Sequence, residues 1–312
     1  VRWAWKERDI RRPRFILPVL VWLVAGCRGP TLTVEDVIVH PGDKARLVAF
    51  AEREPFLGLA KDISGVRVSF QVAGQEVGDK KTDDEGSAEL RWRLPVGTTG
   101  YEARAAALHE SLRARGRVFW WDDDRVVVAV DIDHTIERTE YEGLLGRRSE
   151  DESDPVKRSA QTLRNLAQDY HILYLTGRPR SLLDRTRDWL GGHEFPDGPV
   201  ITAESVRQTL RPGSFKEKRL RELRKHWPML LIGIGDRASD AEAYGTNEML
   251  ALIIAGQAER NFGRHAIVFR NWKALAQFFA ANSAALTERA ALKDIIAGKR
   301  PLLRWLDRYE RE

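Results

Sequence analysis

Asp131 and Asp133 stand two residues apart, directly after the unbroken apolar run Val126-Val127-Val128-Ala129-Val130. A second acid pair, Asp236 and Asp240, follows Leu230-Leu231-Ile232-Gly233-Ile234-Gly235. Thr176 closes a third run, Ile172-Leu173-Tyr174-Leu175, and Lys216 falls between the second and third of these groups in Gly213-Ser214-Phe215-Lys216. Carboxylates grouped in this way can attack an electrophile, pass a proton or hold a hard cation. A hydroxyl and an ammonium can offset the charge of an anion.

Such a set acts together only if the chain brings it together. Runs of β-branched residues without a polar break read as strands buried on both faces of a parallel sheet. In open α/β sheets ligands bind outside the carboxyl ends of the strands, where all these polar residues fall. Asp154-Pro155 predicts a helix start, the Asp as cap and the Pro in the first turn. Val156, Ala160, Leu163, Leu166 and Ala167 then recur at helical spacing. Leu182, Leu183, Thr186, Trp189 and Leu190 predict a second helix that Gly191-Gly192 ends. Val200-Ile201-Thr202, Leu250 to Ala255 and Ala266 to Phe269 predict further strands, and Trp272 to Ala280 a closing helix. Asp122-Asp123-Asp124 reads as a solvated turn into this domain, because one turn cannot aim three acids inward.

DxDxT at 131–135, Thr176, Lys216 and the GDxxxD at 235–240 resemble the four motifs of the haloacid dehalogenase superfamily of phosphotransferases. The resemblance implies a Rossmann-like α/β domain with its parallel sheet flanked by helices. Asp131 is then the nucleophile that forms an aspartyl-phosphate, and Asp133 the general acid and base. Thr176 donates to the transferring phosphoryl group, while Lys216 neutralises its charge. Mg²⁺ is held by Asp131, Asp236, Asp240 and the main-chain carbonyl of Asp133. Thr135, Gly177 and Arg178 are expected beside the substrate. Lys218 shares the helix start with Lys216; Phe215-Lys216 with Leu220 is similar to the lysine motif of the lipin branch and favours Lys216. His134 stands where that branch usually has Gly, and reads as a side chain packed or solvated beside the site. Arg178 can meet a phosphate or form a surface ion pair. The basic run from Arg207 to Lys225 fits anionic lipid as well as a solvated helix face.

Within the superfamily the chain resembles the lipin-like (LNS2) phosphatidate phosphatase domain over about residues 126–270. Ile172 to Pro179 and His193-Glu194-Phe195-Pro196-Asp197-Gly198 carry much of this likeness. The intervals from Asp133 to Thr176 and from Thr176 to Lys216 are too short for a cap domain with its own core. An open site suits a substrate that is large or membrane-bound. A phosphatidate-type lipid phosphate is therefore the expected substrate. A non-catalytic phospholipid-binding module and a nucleotide or polynucleotide phosphatase are the alternatives.

Upstream, the hydrophobic period changes to two: Val66, Val68, Phe70 and Val72, then Ala88, Leu90, Trp92 and Leu94. Turn residues between these runs predict a small antiparallel β-sandwich, and Thr82 to Ala88 resembles a turn of bacterial immunoglobulin-like modules. Its expected role is a spacer or support. Residues 1–27 combine a basic leader, an apolar stretch from Phe15 to Ala25 and the sole cysteine, Cys27. This resembles the lipobox of bacterial lipoproteins and implies a lipidated Cys27, a membrane tether and a place in the cell envelope facing the periplasm. Arg28 after the cysteine tilts that expectation to an outer membrane. The expected divisions are 1–27 signal peptide, 28–118 β-sandwich, 119–282 phosphatase domain and 283–312 helical tail. The tail alternates apolar and charged residues and predicts surface helices broken at Gly298 and Pro301.

The 51 basic residues are spread along the chain and stand against 46 acidic ones, for a net charge of +5. No basic stripe of a nucleic-acid-binding protein results, and none is expected as a partner. A single cysteine excludes an internal disulfide, leaving packed cores to supply stability.

Overall fold

The computed structural model describes residues 29–53, 61–138, 153–203, 212–255, 262 and 266–301. Cys27 and the leader lie outside them.

The all-β part contains β1 (Pro30–Val34), β2 (Val37–Val39), β3 (Ala45–Arg53), β4 (Lys61–Asp62), β5 (Arg67–Val72), β6 (Gln75–Lys81), β7 (Ser87–Trp92), β8 (Gly100–Ala107) and β9 (Glu110–Trp120). They form two sheets: β1-β3-β4 with β7 on β3, and β2-β9-β8-β5-β6. Alternation along β5 buries Val68, Phe70 and Val72, and β3 contributes Leu47, Ala49 and Ala51 to the same core. The two expected amphipathic strands, β5 and β7, thus belong to opposite sheets. One pairing departs from the antiparallel expectation, since β2 runs parallel to β9. A three-residue strand has too few alternating positions to reveal its direction in sequence.

The second part has one six-stranded parallel sheet. Its strands are β10 (Val127–Val130), β11 (His171–Pro179), β12 (Val200–Ala203), β13 (Leu230–Gly235), β14 (Leu250–Ile254) and β15 (Ala266–Phe269). Their spatial order is β12-β11-β10-β13-β14-β15. The chain thus winds outward in both directions from β10, and the crevice at that reversal is the usual place for a ligand. All of β10 is buried, and each such valine stabilises the fold by about 1.5–3 kcal/mol.

The helices are α1 (Ser159–Leu166), α2 (Leu183–Gly192, entered through a 3₁₀ turn at Arg180–Leu182), α3 (Pro212–His226), α4 (Ala238–Thr246), α5 (Trp272–Thr287) and α6 (Arg289–Ile296). Two differ from expectation. Asp154-Pro155 does not open α1, which begins at Ser159. Pro155 instead bridges Glu137, and the Val156 N–H donates to Ile136 O at 2.7 Å, holding this stretch extended beside the acid motif. The closing helix continues to Thr287, with Asn271 accepting from the Ala274 N–H as its cap. After it, α6 is an amphipathic helix that ends before Gly298, with Leu292 wholly buried in the sheet's core.

The two parts are packed together. Trp121 stacks on His171 with ring centroids 4.7 Å apart and meets Trp227 edge-on at 5.6 Å. His40 stacks on the same Trp227 at 4.0 Å. Arg180, just after β11, donates to Glu52 of β3 at 2.7 Å and to Asp62 of β4 at 3.1 Å, with its guanidinium over the Phe50 ring.

Candidate active site

Asp131 leaves β10 buried, its N–H donating to Ile234 O at 2.9 Å. The chain then turns tightly: the N–H groups of Thr135, Ile136 and Glu137 all point to Ile132 O. Ile132 and Ile136 anchor the turn in the core, both fully buried. His134 has φ of 61°, the left-handed region. Glycine is the residue that adopts this without cost, so His134 holds the turn at some strain. The Trp272 indole N–H donates to Thr135 O at 2.9 Å, fixing the turn from α5.

The second acid pair arrives from β13. Asp240, in the first turn of α4, accepts the N–H groups of Asp236 and Arg237 on Oδ2, at 3.3 and 3.2 Å. This leaves Oδ1 for Lys216. The approach requires Gly235, since a Cβ there would lie 2.6 Å from the Asp240 Cβ.

Lys216 joins the two pairs. Its Nζ lies 2.7 Å from Asp131 Oδ1 and 2.7 Å from Asp240 Oδ1, and the side chain is only 5 % exposed. Phe215 and Leu220, both buried, seat this face of α3 on the sheet. Lys218 points away, 68 % exposed and 4.0 Å from Glu222. Geometry thus separates the two candidates and places Lys216 on the acids.

Thr135 is fully buried. Its hydroxyl lies 3.3 Å from Asp131 Oδ2 and 3.1 Å from Asp236 Oδ1, so it links the carboxylates instead of facing a substrate. Thr176 is also buried, and its hydroxyl donates to Asp133 Oδ2 at 2.9 Å. Gly177 continues β11 next to it, partly exposed. Arg178 is no surface ion pair: at 10 % side-chain exposure its guanidinium contacts Asp133 and Glu137. Asp122, 59 % exposed and 3.7 Å from His171, keeps to the solvated turn.

Burial pushes the Asp131 carboxyl well above the usual carboxylate range; Lys216 opposes this, while Asp240 and Asp133 add to it. Asp236 is raised as well, by burial and then by Asp240. Burial alone would lower Lys216, but Asp131 and Asp240 more than reverse that and keep it charged. Three carboxylates crowded with one ammonium leave unbalanced negative charge. Asp131, Asp236 and Asp240 each offer an oxygen within 4.8 Å of the others. An all-oxygen, anionic set of this size fits a hard divalent cation such as Mg²⁺.

The sequence profile of the LNS2 (Lipin/Ned1/Smp2) family matches residues 92–254, just over half of the 312-residue chain. The chain belongs to the LNS2 family. LNS2 membership implies a hydrolase of the phosphatase class. The LNS2 match begins in β7, before the motif-bearing region from Val126, and so includes β8 and β9. No curated protein matches the chain. Among solved structures, titin M4 aligns at 12 % identity and a TM-score of 0.23, over 30 % of this chain and 98 % of its own. A carbohydrate acetylesterase from Xanthomonas citri aligns at 11 % identity and 0.32, over 83 % of this chain and 75 % of its own. A Sidekick-1 immunoglobulin fragment aligns at 12 % and 0.18, over 33 % and 30 %. At these TM-scores none bears on fold or function.

Glu137, Ser153 and Trp272 also shape the site, and sequence patterns did not single them out. Glu137 belongs to none of the patterns read from the sequence, yet it is 2 % exposed.

Proposed function

We propose that this LNS2 protein is a haloacid dehalogenase-type phosphomonoester hydrolase that uses Mg²⁺ and an aspartyl-phosphate at Asp131. The strand order about β10, the doubly wound 3-2-1-4-5-6 pattern when β10 is counted as the first, supports the Rossmann-like reading. The observation that carries the proposal is the contrast between two carboxylates two residues apart. Asp131 is buried against Lys216 among the metal-binding acids, whereas Asp133 is held outside them by Thr176 and Arg178. Two neighbouring carboxylates in such different settings suit two different roles.

In this mechanism Asp131 attacks phosphorus and the P–O bond to the leaving group breaks. Asp133 gives its proton to the departing oxygen, then takes one from the water that cleaves the acyl-phosphate. Lys216 holds Asp131 in line and offsets charge gathered at the phosphoryl oxygens. The side chains of Asp131, Asp236 and Asp240, with the Asp133 carbonyl, would hold Mg²⁺. When bound, the ion supplies the positive charge that lets a dianionic phosphate approach a carboxylate.

The substrate in this reading is a phosphatidate-type lipid phosphate, reached at a membrane surface through a lipidated Cys27 in a bacterial envelope. Among the described residues no helix is long and apolar enough to cross a membrane. The β-sheets of residues 30–120 serve as an immunoglobulin-like support. The test is phosphate release from phosphatidate micelles, glycerol phosphate and nucleotides, with Mg²⁺ or EDTA, using Asp131→Asn as control. Mg²⁺-dependent release from phosphatidate that the variant lacks is expected; wild type no better than the variant on every substrate overturns the enzyme reading. Labelled palmitate reaching wild type but not Cys27→Ala is the result expected for the tether.

A further inference from the structure

Asp133 is gripped on both oxygens. Arg178 places Nε 3.0 Å and Nη2 2.9 Å from Oδ1, while the Thr176 hydroxyl donates to Oδ2 at 2.9 Å. The Arg178 N–H in turn donates to that hydroxyl at 3.1 Å, so one residue orders both contacts. The guanidinium is itself fixed from behind. Nη2 also bonds Glu137, and Nη1 lies 3.4 Å from the Thr186 hydroxyl. Glu137 is 2 % exposed and receives the Ser153 hydroxyl; Ser153 O accepts the Trp189 indole N–H at 2.9 Å. Isolated bridges tie Glu137 to Asp133 on one side and Pro155 on the other. An arginine fork aimed at one carboxylate and locked by a second, buried one has little freedom to reach a phosphate.

We propose that Arg178, locked by Glu137, is a positioning residue that sets the direction in which Asp133 delivers its proton to the leaving oxygen. The inference rests on the phosphatase reading and assigns neither residue a contact with substrate. The step it governs is the first. Asp133 enters it protonated on Oδ2, the oxygen that Arg178 leaves to a single bond accepted from Thr176. The Asp131 oxygen bonds phosphorus, the P–O bond to the alcohol breaks, and that proton goes to the departing oxygen. A misaimed acid penalises poor leaving groups, because an alkoxide must be protonated as it departs whereas a nitrophenolate leaves unaided.

The test compares kcat/KM for an alkyl phosphate and for p-nitrophenyl phosphate in wild type, Arg178→Gln, Arg178→Lys and Glu137→Gln. This ratio reads the steps up to and including the first irreversible one, so later hydrolysis of the acyl-phosphate does not enter. Arg178→Gln is expected to lose at least about tenfold more on the alkyl than on the aryl substrate, within the range of general-acid effects. Arg178→Lys should recover part of that gap. Glu137→Gln should show the same bias, and combining it with Arg178→Gln should add little, because Glu137 acts through the arginine. Equal losses on both substrates, as from a damaged fold or a lost phosphate contact, overturn the proposal, as does no loss in a variant with unchanged melting. A wild type that turns over neither substrate overturns the phosphatase reading itself.

Discussion

Asp36, between β1 and β2, and Arg187, on α2, form an ion pair across the two parts of the molecule, 2.8 Å long with the carboxylate wholly buried. The same carboxylate accepts from Arg117 of β9 at 2.7 Å and from the Val200 N–H of β12 at 2.8 Å. One acid of the β-sheets thus caps an edge strand of the parallel sheet. Removing one member of a buried ion network leaves the others uncompensated, at about 3–5 kcal/mol. Asp36→Ala is therefore expected to destabilise the protein by about 3 kcal/mol. Calorimetry should show one transition in wild type and two in the variant, as the parts cease to unfold together.

Lys216 makes the corresponding prediction within the site. Lys216→Met strands two buried carboxylates, so it should cost about 3 kcal/mol or more in urea denaturation and abolish phosphate release. Lys218→Ala, on the exposed side of the same helix, should stay within about 0.5 kcal/mol of wild type.

Metal binding should appear in stability before it appears in turnover. The raised position of Asp236 means that its ionised form is disfavoured in the metal-free fold. Asp236→Asn, which can still accept from Thr135, should therefore melt higher than wild type without metal. Wild type should gain about 2.7 kcal/mol at a Mg²⁺ concentration one hundred times its Kd. The variant should lose most of that gain. Thermal melts with EDTA and with Mg²⁺ separate the two effects.

His171 gives a dependence on pH. Burial holds its imidazole below the ordinary value, with Asp122 only partly opposing. The folded state then binds fewer protons than the unfolded chain below about pH 6.5, so stability falls as pH drops through that value towards the lowered one. His171→Phe keeps the stack on Trp121 and removes the titration. Urea midpoints between about pH 5 and pH 7 should decline less steeply in the variant than in wild type.

Much of this was legible in the residues alone, for a local reason. A strand buried on both faces must be a continuous apolar run, so β10, β11, β13 and β14 could be read off directly, with the polar residues that follow them. The parallel sheet forces those strand ends to one edge, which is why residues as distant as Asp131 and Asp240 could be expected together. Sequence did not determine what each side chain would face there. Lys216 and Lys218 share a helix and a charge, and only the helix's rotation on the sheet puts one at 2.7 Å from two acids and the other in solvent. Thr135 and Arg178 were equally ambiguous, because a hydroxyl or guanidinium bonds whichever acceptor packing brings near. Glu137 and Asp36 gave no signal at all, since a buried charge is written with the same letter as an exposed one. Its burial is decided by partners elsewhere in the chain: Arg178 and Ser153 for Glu137, Arg117 and Arg187 for Asp36. Tertiary packing alone creates such groups, because a charge stays buried only where the fold delivers its counter-charge.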